Sequence, residues 1–417
     1  MQTKRFSRRA TLGGLAGVAS LPILGRRGWA QSGAIRIGCT QTLSGPLAAV
    51  GNSHALGAKV AVQEINEAGG LLGRPVELVL RDTRANPNDA VALVHELQSS
   101  GINLFFGDAF PGPNFAVAAI AAQLDIVWII ASNTTMPINH ELFSKNVFRA
   151  GQDQYMQYFA QAKLMADRYP NLKRWGTFLA DNAGFRGGQE YLTAGLKKFY
   201  AAKGNPIEFT EPVLAKVGAL DYRDQCAVLA SQKIQAMLLC DAGAEALTFL
   251  KQALAFGFVS NLGAIADISA GVTVGPALKK DVPNNFWTVC TWLYESFKQL
   301  PMAQSFYKRV VDELKTPIFD HLIAQAHLAT TTILAGIRNA KSTQTAPVIA
   351  AIETMTYDTI YGPMKFRAED HQLQFNPGYI RVGPDPGSPD GYKIFEFVQI
   401  DWKDAIEPAN PGKKFEL

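Results

Sequence analysis

Cysteine is scarce in this chain of 417 residues, with Cys39, Cys226, Cys240 and Cys290 the only four. None is spaced as CxxC and no histidine pair lies nearby, so a structural zinc site finds no support. Buried thiols are the simpler reading, with a disulfide between Cys226 and Cys240 open in an oxidising compartment. Catalytic signatures are equally sparse. The chain has no GxxxxGK[ST], no GxGxxG after a strand and no GxSxG; His95-Glu96 lacks the second histidine of HExxH, and the six histidines are scattered. No metal or cofactor is therefore expected. Beyond residue 30 no apolar run reaches the ~20 residues that a bilayer crossing takes.

A real basic excess is missing too, although the formal charge is +4 and the isoelectric point about 8.7. The first thirty residues contain Lys4, Arg5, Arg8, Arg9, Arg26 and Arg27 and no acid; without them 34 basic residues face 36 acidic ones. No Lys/Arg patch with interleaved aromatics occurs later, which argues against nucleic acid as a partner. The opening itself, basic residues, then a modest apolar run, then Gly28-Trp29-Ala30, reads as an export signal cleaved near Ala30. Arg8-Arg9 after Ser7 suggests the twin-arginine route. A permanent amino-terminal anchor is the alternative.

What is present is alternation. IRIGCT, SHALGAKVAVQEINEAGG, VELVLRD, NPNDAVALVHELQSSG and INLFFGD read as strand, helix, strand, helix, strand, followed by AVAAIAAQLD as a helix and IVWIIAS as a strand. Asn86-Pro87 is a helix cap followed by a first-turn proline, and Gly69-Gly70 stops the first helix. A second series starts after FRAGQDQ, Phe148 to Gln154, with PIEFTEPVL as one of its strands. Two tandem α/β series predict two Rossmann-like lobes, each with a parallel sheet covered on both faces. The carboxyl third departs from this pattern, so the chain is expected to pass between lobes more than once.

In open parallel sheets ligands sit beyond the carboxyl ends of the strands. The segments to examine are therefore LSGPLAAVG, GDAFPGPN, ASNTTMP, ADNAGFRGG, CDAGAE and ADISAG. The first, around Ser44, Gly45 and Pro46, sets a turn and has no phosphate-binding pattern. Asp181 and Asp267 both follow strands; they could pair for acid-base work, but caps on loop N–H groups are the simpler reading.

The stretch from IRIGCTQTLSGP through INEAGGLLGRPVELVLRD, with the later IYGPMKF, resembles the type I periplasmic solute-binding proteins of the Leu/Ile/Val-binding family, over essentially the whole chain from residue 35. The resemblance implies a non-enzymatic monomer of two lobes joined by three crossings, which closes on a small solute and delivers it to an inner-membrane ABC permease. Expected boundaries are 1–30 for the leader, 33–150 plus about 293–360 for lobe 1, and 151–292 plus about 361–417 for lobe 2. Ligand contacts carried over by the resemblance are Thr135, the backbone at Asn133, Phe185 where a Tyr is frequent, Asp267 as partner of a ligand ammonium, and Phe319 or Asp320. Pro111 stands where a Ser is expected and offers neither hydroxyl nor N–H. Ser44 and Asn114 complete the expected site, and Ala85 and Phe110 replace the family's early disulfide. Trp292 is read as core packing. An amino acid is the expected solute; an aromatic acid or an amide suits the Pro111 and Phe185 departures, a sensor role suits the same fold, and an exported enzyme lacks any matching motif.

Overall fold

The computed structural model describes residues 33–417 apart from Pro46, Ala270 and Ile318. The expected leader, with its cleavage point near Ala30, lies outside the described residues. Strand β1 (Ile35–Gln41) leads through the small-residue loop into α1 (Ala48–Glu67), then β2 (Val76–Asp82), α2 (Pro87–Ser99), β3 (Leu104–Phe106), α3 (Pro111–Ala118), β4 (Val127–Ile130) and β5 (Val147–Arg149). These strands form one parallel sheet in the order β2-β1-β3-β4-β5. The local signals act as expected at α2: the Asn86 side chain accepts from the N–H groups of Asn88 and Asp89, and Ala90, Val94 and Leu97 form the buried face. The helix expected over residues 116–125 is displaced. It begins at Pro111, whose missing N–H costs nothing in a first turn, and after Ala118 the chain runs through turns to Asp125, at φ +52°.

After residues 150–153 the chain builds a second body. Here α4 (Gln154–Arg168), β6 (Arg174–Ala180), α5 (Ala183–Ala202), β7 (Glu208–Phe209), β8 (Val213–Ala215), α6 (Arg223–Ser231), β9 (Ala236–Cys240), α7 (Gly243–Ala255), β10 (Ala264–Asp267), α8 (Val274–Leu278) and β11 (Phe286–Val289) follow in turn. The single strand expected from PIEFTEPVL is two short ones on β6, with Pro212 between them unable to donate to a ladder. The chain then returns to the first body with α9 (Tyr294–Phe297), α10 (Pro301–Leu314), α11 (His321–Ala340), α12 (Thr345–Thr354) and the hairpin β12 (Thr356–Thr359) and β13 (Gly362–Lys365). Phe366, Leu373 and Phe375 still lie in the first core, beyond the point near residue 361 where the chain was expected to leave. It enters the second sheet with β14 (Gly378–Pro384) and β15 (Tyr392–Gln399), both joined antiparallel, in the order β15-β14-β11-β10-β9-β6-β7.

Packing explains why each body holds. Helices α1 and α11 cross on the first sheet so closely that a Cβ on Gly57 would sit 2.1 Å from the Ile323 carbonyl oxygen. The second sheet has a core on each face: Met237 and Leu239 of β9 belong to one, Ala236, Leu238 and Cys240 to the other. Cys226 lies in the first of these and Cys240 in the second, so the sheet separates them, and all four cysteines are free and buried. Among the described residues no helix is long and apolar enough to cross a membrane.

Candidate functional site

Strand direction puts the loops after β1, β2, β3 and β4 at one end of the first sheet, and those after β6, β9 and β10 at one end of the second. In the first body this end is an interlocked polar layer. Leu43 N–H (2.9 Å) and the Ser44 hydroxyl (2.6 Å) both donate to the Asp82 carboxylate. Burial works against ionisation there, yet these bonds and the Arg84 N–H hold Asp82 below the ordinary carboxylate range. Ser44 is thus an exposed residue that staples its loop to the next strand, with its proton committed to Asp82. Gly45, at φ +80°, supplies the left-handed turn.

Beneath it, Asp108 accepts from Thr42 (3.1 Å), from the Thr83 hydroxyl and from Phe110 N–H (2.9 Å); burial outweighs these bonds and raises its pKa. Asn114, expected as a ligand contact, is fully buried and spent on the scaffold. Its Nδ2 donates to the carbonyls of Asp108 (2.6 Å) and Phe110 (3.0 Å), and its Oδ1 accepts from Trp128 Nε1 (3.1 Å). Pro111 is exposed at the start of α3.

The loop after β4 is an Asx turn. Asn133 Oδ1 accepts from Thr135 N–H (3.1 Å) and from the Thr135 hydroxyl (2.7 Å), while the carbonyls of Thr134 and Thr135 receive the buried Arg149 guanidinium. Next to it stands a residue that sequence reasoning missed. His54, on α1, is fully buried between Gln41 Oε1 (3.1 Å) and Ser132 Oγ (3.0 Å). Gln41 gives its amide N–H to the Gly107 carbonyl, so its oxygen faces His54. Nδ1 of His54 must then donate, and Nε2 must accept the Ser132 proton. Burial first, and His321 second, push the His54 pKa down to about 3. The imidazole is neutral, and Ser132 is left to present acceptor lone pairs.

In the second body Asp267 ends β10 fully buried. One carboxylate oxygen accepts from Thr288 Oγ1 (2.5 Å) and Ser269 N–H (3.1 Å), and Thr288 Oγ1 accepts in turn from Gly271 N–H (2.8 Å). Two glutamines of α4 fix the same turn: Gln161 donates to the Asp267 carbonyl (2.8 Å) and Gln157 to that of Ile268 (3.0 Å). Asp241, one strand over, is a second buried carboxyl that the sequence reading did not single out. Its Oδ1 accepts from Ala242 N–H (2.7 Å), and burial raises its pKa to about 6. Asp181 does not join them: β9 lies between its strand and β10, and it pairs with Arg186 (2.7 Å). Phe185 is half-buried at the start of α5, its N–H bonded to the Asn182 cap (2.9 Å).

Phe319 stacks on Trp292 with ring centroids 5.7 Å apart, beside Phe306 and Tyr307, along a cavity of about 540 Å³ that reaches β15. Trp292 is buried and donates to the Ile360 carbonyl (3.1 Å). Asp320 caps α11 through Leu322 N–H (3.0 Å). Among the described residues no group of three or more His, Cys, Asp or Glu side chains is placed to hold a metal ion.

The strand-end layers thus offer hydroxyls, acceptor oxygens and buried carboxyls, a set suited to recognising a small polar molecule. Comparison with known proteins agrees with that reading. A model of the periplasmic binding proteins matches residues 34–382. The leucine-, isoleucine-, valine-, threonine- and alanine-binding protein of Pseudomonas aeruginosa is 24% identical over 367 residues, which cover 87% of this chain and 92% of that one. An amino acid ABC transporter substrate-binding protein from Pseudomonas fluorescens superposes with a TM-score of 0.76 at 20% identity, covering 90% of this chain and 98% of its own. A solute-binding protein of an R. palustris ABC transporter, in complex with benzoate, does so with a TM-score of 0.70 at 21% identity, covering 92% and 100%. These relatives are binding proteins of transporters rather than enzymes, and the two sheets with their repeated crossings are the type I architecture. With its family match running through both bodies, this chain belongs to the periplasmic binding proteins.

Proposed function

We propose that this protein is the solute receptor of an ABC importer in the periplasm, released from its leader near Ala30, and that it captures an amino acid between its two lobes by hinge closure. The buried Asp267 carboxylate carries the reading. Held in one orientation by Thr288 and Ser269 N–H, it would receive the ammonium group as a charge-assisted hydrogen bond. Ser132, the Asn133 to Thr135 turn, Phe185 and Phe319 would line the remainder, and Pro111 would leave the carboxylate to loop N–H groups. Binding favours the closed state by its differential affinity for the two conformations, and the closed monomer would dock on an inner-membrane permease.

A second reading rests on the benzoate and 3,4-dihydroxybenzoic acid held by structural relatives together with the Pro111 and Phe185 departures: an aromatic acid as the solute. A thermal-shift screen of the mature protein separates the two, because a ligand at 100 times its Kd stabilises the folded state by about 2.7 kcal/mol. Shifts with amino acids are expected. Shifts with aromatic acids alone would replace the first reading with the second, and none with any small solute would refute both.

A further inference from the structure

The last residues of the chain do something the family pattern does not account for. The family match ends at residue 382, yet the chain continues past β15 and runs back from the second body to the first. Trp402 N–H bonds to Asn376 Oδ1 (2.9 Å), Ala405 is fully buried in the second core, and Ile406 packs on the first. Glu407 follows, with its side chain fully enclosed. Its backbone carbonyl accepts from Arg367 Nη1 (2.7 Å), and its carboxyl stands 3.5 Å from Arg367 Nη2 and 3.5 Å from His140 Nε2. Further on, Gly412 N–H donates to the His140 carbonyl (2.7 Å). The Phe415 ring lies 5.0 Å from His140 of the first body, and 5.5 Å from Tyr155 and 6.2 Å from Tyr191 of the second.

We propose that residues 401–417 are a strap across the two lobes, anchored by Glu407 in a buried ion cluster and fastened by Phe415, which limits how far the lobes open before a solute is captured. The anchor sits where the chain first crosses between bodies. Asp153, in that crossing, caps α4 through Met156 N–H (2.7 Å), and its carboxyl faces that of Glu407. Around the pair stand Arg149 at the end of β5, Arg367 and Asp370 joined by an ion pair before the last crossing, His140 after β4, and the Tyr155 and Tyr191 hydroxyls from α4 and α5.

Two guanidiniums therefore face three carboxyls in a dry space, and burial keeps His140 from adding a third positive charge. Asp153 Oδ2 and Glu407 Oε2 have no N–H or hydroxyl donor; one proton held between the two carboxyls supplies what both lack and balances the cluster. Burial and mutual repulsion raise Asp153 well above the carboxylate range, and burial raises Glu407. Because the raised values belong to the strapped form, its extra stability is present at low pH and is lost as pH rises and the shared proton leaves.

The proposal rests on hinge closure as the working motion, and its test does not need a solute. Spin labels at Lys59→Cys on α1 and Lys251→Cys on α7, both exposed, would report the distance between lobes in the ligand-free mature protein, the native thiols being buried. Glu407→Ala and Phe415→Ala, singly and together, are expected to broaden the distribution toward longer distances. The wild type should broaden in the same way as pH rises, whereas Glu407→Gln, whose amide N–H stands in for the shared proton, should keep the narrow distribution and not respond to pH. Phe415→Ala removes only the far fastening, so it keeps the test alive if the Glu407 variant folds poorly. With a binding solute in hand, the double variant should raise the apparent Kd about fivefold, since affinity falls with the closed fraction. Unchanged distances in Phe415→Ala and the double variant would overturn the strap, whether or not any amino acid binds. Opening in the strap variants together with a wild type that binds no amino acid would overturn the proposed solute instead and leave the strap standing.

Discussion

Replacing Asp267 with Asn separates the charge of this side chain from its shape. Thr288 Oγ1 and Ser269 N–H both bond the same carboxylate oxygen, so an Asn oxygen in that place keeps both contacts. The other oxygen becomes an NH2 group, a donor where an ammonium needs an acceptor. A hydrogen bond to a charged group contributes about 1.5–3 kcal/mol, so the affinity for an amino acid should fall about 10- to 150-fold. Stability should move differently. A fully buried carboxylate is costly to keep ionised, and the Asn variant should melt, without ligand, at the same temperature as the wild type or higher. Titration calorimetry with an amino acid and with its analogue lacking the amine gives the decisive comparison. The loss should be confined to the amine-bearing solute; an equal loss for both, or none, would refute the assignment of Asp267 to the ammonium.

Gly57→Ala should gain about 1 kcal/mol of helix propensity and lose more, because the new methyl group lands on the backbone of Ile323 and overpacking against an atom that cannot swing away costs about 3 kcal/mol. Net destabilisation of about 2 kcal/mol in urea unfolding is expected, against a gain for Asn52→Ala on the exposed face of the same helix; a more stable Gly57 variant would mean the two helices can part freely. Asp241 has its folded pKa raised to about 6 by burial, so its contribution is present below the ordinary carboxylate value near 3.9 and lost as pH rises through 6. Asp241→Asn should therefore match the wild type in acid and exceed it in melting temperature above pH 6, and parallel pH profiles would show that the carboxyl ionises without penalty.

Much of the molecule is legible as local pattern. The Asn86-Pro87 cap, the buried face of Ala90, Val94 and Leu97, and the β1 to α1 turn depend on neighbours within a few residues, and they form as read. Where local pattern was ambiguous the reading slipped. An apolar run at 116–125 has helical period but is consumed in turns once Pro111 starts the helix early, and Pro212 divides a strand that hydropathy alone leaves whole. Asn114 misled for a different reason: a polar residue in a strand-end loop looks the same whether it faces a solute or, as here, holds Trp128 and two carbonyls in place.

By itself the sequence determined the two α/β series and the caps, turns and apolar faces that shape them. All of these follow from residue type and short-range spacing, which physical chemistry converts directly into turns, caps and apolar faces. The tertiary structure alone decided which distant polar groups satisfy one another. His54 and Ser132 are 78 positions apart, Glu64 and His327 are 263 apart, and Glu407 closes on Arg367 and the first crossing from the far end of the chain. Buried polar atoms must find partners, but no local rule says which; that choice is made only when the core closes and removes water as the alternative.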